Sequence, residues 1–113
     1  MSEAYVKEFK KRFVESFPDV VILYLIMTEP MWGYKIMKSI KERFDFKLRH
    51  GALYPLLRIL EAKGFITSKT EAYGGRIRKK YELTAKGVEF IRSYSDFLKE
   101  QLLNLNAAER GDR

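Results

Sequence analysis

The sequence of 113 residues contains no cysteine and a single histidine, His50. Without thiols the chain can form neither a disulfide framework nor a thiolate metal site. A histidine that acts as a general base or metal ligand needs partner groups, and here it stands alone. A glycine-rich phosphate loop followed by a helix with an early lysine is also missing. We therefore expect no metal, no cofactor and no enzymatic activity.

Long hydrophobic runs are missing as well. The apolar stretch over residues 20–27 is much shorter than the ~20 residues that a membrane-spanning helix needs. The first residues lack the basic start and the apolar stretch of a secretion signal. These absences predict a cytoplasmic protein that has no membrane contact.

Positive charge is what the sequence has in excess. Lysine and arginine total 22 against 15 acidic residues, which gives a net charge of +7. A compact basic surface favours a polyanion as partner, and the alternative is a solvated surface that only keeps the protein soluble. The length allows one hydrophobic core, so we expect a single domain over residues 1–113.

Hydrophobic periodicity predicts a mostly helical chain. The predicted helices cover residues 2–17, 18–27, 33–44, 51–63 and 84–105, with a short extended piece at 46–48. Pro18 suits a first helical turn, Gly64 a helix end and Thr84 an N-cap. The helix after Pro18 is apolar all round and should form the centre of the core. Residues 106–113 are predicted to be a disordered tail.

The helix predicted over residues 51–63 has two distinct sides. One side carries Leu53, Leu56, Leu57 and Leu60. The opposite side carries Gly51, Tyr54, Pro55, Arg58 and Ala62. Tyr54 and Arg58 lie at the centre of this second side, among small residues that let a large partner approach.

A basic β-hairpin follows this helix. The predicted strands are residues 65–70 and 77–83, joined by a loop over 72–76. Four cations lie at its tip: Arg76, Arg78, Lys79 and Lys80. They fit contacts to phosphates, although charged hairpins also serve to prevent edge-to-edge aggregation. Three helices followed by a basic hairpin are typical of a winged helix-turn-helix module, in which the third helix enters the DNA major groove.

The first and last helices carry aromatic and leucine side chains that one small core would not cover. We expect a two-fold interface built from Phe9, Phe13, Phe90, Phe97, Leu98 and Leu102. The alternative is that these two helices pack on each other within one chain. The predicted fold class is therefore a mostly α protein with a small β-hairpin wing and N- and C-terminal dimerisation helices.

Three motifs in this order resemble the PadR-type transcriptional regulators over about residues 18–90. They are Pro30 with Gly33, Tyr34 and Ile36; GALYPLL at 51–57, continuing through Leu60 and Glu61 to Gly64, Phe65 and Ile66; and Gly74, Gly75 and Arg76 with Arg78, Lys79, Tyr81, Leu83, Thr84 and Gly87. The resemblance implies a homodimeric, repressor-like protein that binds a pseudo-palindromic operator.

Carried over to this chain, the resemblance assigns DNA contacts to Tyr34, Lys35, Gly51, Tyr54, Arg58, Arg76, Arg78 and Lys79. Two departures stand out. Trp32 stands where many relatives have histidine, and Arg49 with His50 stands where a small capping residue and proline are usual. Arg49 and His50 add cations at a helix start, and we include them with Lys80 among the candidate DNA contacts.

The resemblance also permits a small aromatic effector in an apolar cavity between paired terminal helices, although no polar constellation identifies one. Two other functions stay open at this point. A winged helix can be a protein-interaction module whose basic wing faces an acidic partner. It can also be an architectural DNA-binding protein without sequence preference.

Overall fold

The computed structural model of the protein describes residues 2–111. The helices are α1 (Glu3–Ser16), α2 (Pro18–Thr28), α3 (Gly33–Phe44), α4 (His50–Ala62) and α5 (Ala85–Glu109), and the strands are β1 (Met31–Trp32), β2 (Ile66–Tyr73) and β3 (Arg76–Leu83). This order of helices and hairpin confirms the predicted winged helix-turn-helix fold class.

The helix starts follow local capping chemistry. The Ser2 side chain accepts a hydrogen bond from the Ala4 N–H at the start of α1, and Pro18 occupies the first turn of α2. At the start of α5 the Thr84 hydroxyl accepts a hydrogen bond from the Gly87 N–H at 3.1 Å. The helix α4 instead begins after Arg49 without a side-chain cap, which leaves donor N–H groups at its basic first turn.

The core is centred on α2, as its apolar sequence predicts. Six of its residues are buried: Val20, Val21, Ile22, Leu23, Leu25 and Ile26. The same core receives Ile36 and Ile40 from α3 and Leu53, Leu57 and Leu60 from α4. One side of α2 stays open, because Tyr24 is 47% exposed and Met27 42% exposed. Burial of these aliphatic side chains is the main force that holds the helices together.

The sheet is antiparallel with the strand order β1-β3-β2. Strands β2 and β3 are joined by a two-residue turn, Gly74 and Gly75, whose φ angles are +53° and +79°. Both strands of the wing are thus longer than predicted, and the loop between them is shorter than the one predicted over residues 72–76. The strand β1 was not predicted, and Trp32 in it pairs with Lys80.

The prediction for the C-terminal tail is corrected. The helix α5 continues to Glu109, so residues 106–109 are helical instead of a disordered tail; the last two residues of that predicted tail lie outside the described range. Residues 46–48 connect α3 to α4 and take no part in the described sheet. The connection begins at Asp45, whose left-handed φ of 52° ends α3.

The end of α4 is bonded to the start of α5. The Thr84 hydroxyl donates to the Gly64 carbonyl, and the Lys86 Nζ donates to the Lys63 carbonyl at 2.8 Å. The Thr84 N–H also donates to the Phe65 carbonyl at 3.1 Å. These three bonds cross the short loop after α4 and fix the two helix ends to each other.

Candidate nucleic-acid interface

A cleft of about 510 Å³ separates α4 from the wing, and we call it the wing cleft. Its lining residues are Trp32, Gly33, Tyr34, Tyr54, Arg58, Arg76, Ile77, Arg78, Lys79 and Tyr81. Candidate DNA contacts from α3, α4 and β3 therefore meet at one surface, although they lie far apart in the sequence. Arg58, Arg76 and Lys79 are exposed there.

The helical position of Tyr54 predicts a side chain that projects freely from α4, and the structure differs from this prediction. It is half-buried, and its ring lies parallel to that of His50 with 5.7 Å between centroids and 16° between planes. A Cβ atom at Gly33 would overlap the Tyr54 hydroxyl, so the absence of a side chain at Gly33 makes room for the ring. Tyr54 is therefore a packed wall of the wing cleft.

Pro55 interrupts the backbone hydrogen bonding of α4. Because α4 begins at His50, Pro55 lies inside the helix beyond its first turn. Proline has no N–H to donate to the carbonyl four residues earlier, which is that of Gly51. One backbone acceptor near the exposed start of α4 thus lacks its helical donor.

Tyr81 forms the buried floor beneath these groups. Burial raises the pKa of its phenol above the ordinary value of 10.0, Tyr54 and Glu61 raise it further, and Arg58 opposes them. The phenol is neutral at physiological pH, as an ordinary tyrosine is, and its environment strengthens that preference. The positive charge of the wing cleft is therefore not offset by a phenolate.

The wing cations divide between two faces of the hairpin. Strand alternation places Arg76, Arg78 and Lys80 on one face and Lys79 on the other. The Arg78 guanidinium carbon lies 4.9 Å from the Trp32 ring centroid and 4.3 Å from that of Tyr73. The Lys80 Nζ lies 5.5 Å from the Trp32 centroid, outside the wing cleft. Neither Tyr73 nor Trp32 was among the candidate DNA contacts predicted from the sequence.

A second depression, the helix groove, has a volume of about 980 Å³ and runs between α3 and the start of α4. The predicted residues Tyr34, Arg49, His50 and Gly51 line it. It is also lined by Lys38, Lys41 and Lys47, which were not among the candidate DNA contacts predicted from the sequence. The i, i+4, i+7 spacing of Tyr34, Lys38 and Lys41 puts them on one side of α3 and could have identified the two helical lysines.

Lys35 is paired with a carboxylate, as Lys41 is with Asp45. Its Nζ is hydrogen-bonded to a carboxylate oxygen of Glu29. This bond and the lysine charge lower the pKa of Glu29 below 4.5. The pair largely cancels its own charge, so Lys35 adds less to the positive surface than its sequence position predicts.

The proposed dimer residues fall into two groups. Phe9 is 67% exposed, Phe97 57%, Leu98 48% and Leu102 59%. Phe90, in contrast, stacks on Phe65 at 4.3 Å and packs against the core of its own chain. Phe13 likewise makes edge contacts with Phe17 and Phe44, at 5.9 Å and 6.1 Å. Phe13 and Phe90 therefore already pack partly within one chain, and the interface assignment of all six residues stays a prediction.

The described residues were also considered as ligands of a metal ion and as membrane-spanning helices. No group of three or more histidine and acidic residues within 2–111 could hold a metal ion. Over the same range, each helix is too short or too polar to cross a membrane.

Comparisons with known proteins agree with the winged-helix fold described above. The family model described as the transcriptional regulator PadR-like family matches residues 22–93. The negative transcriptional regulator PadR of Bacillus subtilis strain 168 is 33% identical over 76 residues, which are 65% of this chain. The match spans only 42% of the length of that relative.

Solved structures agree with this match. A PadR family transcription regulator from Clostridium difficile R20291 superposes with a TM-score of 0.69 and 29% identity, over 79% of this chain and 97% of that one. Bacillus subtilis PadR in complex with operator DNA superposes with a TM-score of 0.63 and 31% identity, over 66% of this chain and 43% of that one. The family model covers more than half of the sequence and confirms the resemblance of the three motifs. The chain belongs to the PadR-like family of transcriptional regulators.

Proposed function

We propose that this regulator binds double-stranded DNA through the wing cleft and the helix groove. The observation that carries the proposal is the lining of the wing cleft, where Arg58, Arg76, Arg78 and Lys79 meet without a carboxylate. A concave basic surface beside an exposed helix suits a DNA duplex, whose phosphates attract the cations. The solved complex of the Bacillus subtilis relative with operator DNA supports the same partner here.

The two parts of this surface are proposed to have different roles. Arg58 lies exposed on α4, the helix that would enter the major groove, and arginine reads guanine through two hydrogen bonds. Arg76 and Lys79 lie exposed near the tip of the wing, where they would contact phosphates without reading sequence. Tyr54 would position the start of α4 against the duplex.

The test is a titration of labelled duplexes by fluorescence anisotropy at several salt concentrations. With six to ten phosphate contacts, affinity should fall by roughly 10³ to 10⁵ between about 50 and 200 mM salt. Arg58→Ala should weaken binding to a selected sequence more than to random DNA, whereas Arg76→Ala should weaken both. Arg92→Ala, at an exposed position on α5, is the control and should change neither.

Other results would identify a different function. Equal losses on all sequences for Arg58→Ala and Arg76→Ala would remove base reading and indicate an architectural DNA-binding protein. Failure of the wild type to bind any duplex at low salt, together with co-purification of an acidic protein, would indicate a protein-interaction module.

We propose that the regulator acts as a homodimer that pairs through an apolar ridge on α5. Leu98, Leu102 and Leu105 follow each other at helical spacing and are exposed, with Phe9 of α1 exposed as well. Apolar patches of this kind on a helix favour association. Light scattering during size-exclusion chromatography should give twice the mass of one chain at micromolar concentration. The mass of a single chain would contradict the dimer.

A dimer would place two α4 helices about one DNA turn apart, ~34 Å, and so favour a pseudo-palindromic operator. The curated relative is described as a negative regulator, and on that ground we propose repression. Such a protein would act in the cytoplasm. A reporter gene placed behind sequences selected from random duplexes should lose expression when the regulator is present, and a gain of expression would contradict repression.

The predicted small aromatic effector stays a prediction. A hollow of about 490 Å³ between α2 and α5 is largely apolar, with Val21, Ile91 and Leu98 in its lining. Arg43 stands at this hollow and donates a hydrogen bond to the Tyr24 hydroxyl at 3.2 Å. Pockets of this composition suit small ligands. Thermal shift measurements with aromatic compounds are the direct test.

A further inference from the structure

We propose that Trp32 is a positioning residue of the DNA interface, because its indole and the Tyr73 ring hold the Arg78 guanidinium in one orientation towards the duplex. The inference rests on the proposed DNA-binding function and adds to it a residue for which the sequence analysis had no role. Trp32 itself is not proposed to touch DNA.

The stack is set by the sheet register. Trp32 in β1 pairs with Lys80, two residues along β3 from Arg78, and Tyr73 lies opposite Arg76. The two ring centroids are 5.3 Å apart with 56° between planes, and Arg78 lies over both rings. Cations are attracted to the faces of aromatic rings, and tryptophan attracts them most strongly. The rings thus restrict the side chain of Arg78 before any DNA arrives.

The donors of Arg78 are left available. Among residues 2–111 its guanidinium forms no salt bridge and donates no hydrogen bond, although Glu71 is its cross-strand neighbour. A guanidinium carries five N–H donors in a plane and binds phosphate or guanine through two of them at once. Ordering this side chain in advance reduces the entropy lost when DNA binds.

Trp32 is poorly explained by packing alone. Its indole Nε1 is buried, and within the described chain it has no hydrogen-bond partner. A buried donor without a partner destabilises a fold, and phenylalanine would supply an aromatic ring without that donor. A role limited to packing therefore predicts that Trp32→Phe and Trp32→Leu have similar affinities for DNA. A role of the ring face predicts that Trp32→Leu binds DNA clearly more weakly than Trp32→Phe.

The first experiment compares Trp32→Phe with Trp32→Leu. Affinity for a fluorescein-labelled mixed-sequence duplex of about 30 base pairs, long enough for two half-sites, is measured at low salt. Trp32→Leu should lose about 3- to 10-fold in affinity, and Trp32→Phe should stay within about 2-fold of the wild type. Thermal unfolding should show Trp32→Phe at least as stable as the wild type. Unchanged affinity of Trp32→Leu, or equal losses in both variants, would overturn the inference.

The second experiment is a double-mutant cycle. In an Arg78→Ala background, Trp32→Leu should lose most of its effect, because only the more distant Lys80 Nζ, 5.5 Å from the Trp32 centroid, then remains at the ring. In an Arg76→Ala background it should still cause the about 3- to 10-fold loss. Arg76 is the matched control, since it lies on the same strand and the same face. A full loss in the Arg78→Ala background would overturn the inference.

Trp32 also supplies a readout that needs no DNA, since it is the only tryptophan. Arg78→Ala should change its fluorescence emission, and Arg76→Ala should leave it unchanged. Identical emission in the wild type and in Arg78→Ala would show that the stack does not form in solution. This result would overturn the inference about Trp32 but not the proposed function. Absence of wild-type binding to every duplex at low salt would overturn the proposed function, and with it the role assigned to the stack.

Discussion

At the scale of single residues, two glycines are required for the space that they leave. A Cβ at Gly87 would overlap the Phe65 carbonyl oxygen and approach Leu83 Cδ2 to 2.6 Å. A Cβ at Gly33 would meet the far end of the Tyr54 ring. Backbone cannot move aside as readily as a side-chain end. Gly87 is therefore the stricter requirement of the two.

Gly87→Ala should lower the free energy of unfolding by about 3 kcal/mol, because the loop after α4 must shift to accept a methyl group. Gly51→Ala is the matched control. A Cβ there meets nothing within 4 Å, and alanine favours helix, so stability should stay equal or rise by up to about 1 kcal/mol. Urea unfolding measures both. Equal stability of Gly87→Ala and the wild type would contradict the packing described for α5.

Asp45 gives a prediction that depends on pH. Hydrogen bonds from Lys41 and Lys7, together with their charges, lower its pKa below 3.8. A carboxylate with a lowered folded-state pKa stabilises the fold above its unfolded pKa and loses that effect as the pH falls through the folded value. Asp45→Asn keeps a residue that tolerates the left-handed backbone. Its melting temperature should lie below that of the wild type near neutral pH, and the difference should disappear in acid. A difference that is constant with pH would contradict the role of the charge.

At the scale of elements, the wing depends on its two-residue turn. Positive φ angles at both central residues are typical of a type I′ turn, whose preferred sequence is Asn-Gly. Gly74→Asn should therefore keep the stability of the wild type. Gly75→Ala should lower the free energy of unfolding by about 1 to 2 kcal/mol, because it forces a side chain into the left-handed region. Equal stability of the two variants in urea would indicate a different turn.

The helices were predictable because their signals are local. Apolar periodicity and capping residues placed the start and end of α3 at Gly33 and Phe44, as observed, and the start of α4 within one residue. The strand β1 was not predictable, since two residues carry no pattern and form a strand only against β3. The end of α5 was missed because residues 106–109 lack the large apolar side chains on which the prediction depended. The alanines and the glutamate among them nevertheless favour helix.

The same distinction applies to the interface. The exposure of Arg58 and Arg76 follows from helical spacing and from the hairpin tip, and this exposure was predictable. The half-burial of Tyr54 depends on Gly33, which belongs to another helix. The stack of Arg78 on Trp32 depends on the unpredicted β1. Contacts between segments that are distant in sequence therefore account for what the sequence did not reveal.

At the scale of the whole molecule, the chain is elongated, with extents of 60 × 33 × 20 Å. The helix α5 has 25 residues, which span about 37 Å at 1.5 Å per residue. Its first half packs on the core through Ile91, while Leu102, Leu103 and Leu105 near its far end are 59–67% exposed. Leu102 and Leu105 share an open hollow with Phe9 and Phe13 of α1, and within residues 2–111 this packing leaves most of both leucine side chains exposed.

Leu102→Glu should convert the proposed dimer into a monomer, because the interface would then have to bury a charge on each subunit. The fold should persist, since the side chain is 59% exposed. Affinity for a duplex with two half-sites should fall by at least about tenfold, because each half-site would then be bound separately. Asn104→Glu introduces the same charge on another side of α5 and should remain dimeric. Light scattering and circular dichroism give the readouts, and a dimeric Leu102→Glu would contradict the ridge as the interface.

The bonds from Thr84 and Lys86 to the loop after α4 have a mechanical consequence. They oppose independent movement of the end of α4 and the start of α5, so we expect the two helices of one chain to turn together. In a dimer held through α5, a change in the crossing angle of the two α5 helices would rotate both α4 helices with them. The distance between the two proposed DNA-reading surfaces, and with it their match to successive grooves, would then depend on the opposite end of the molecule without unfolding any element.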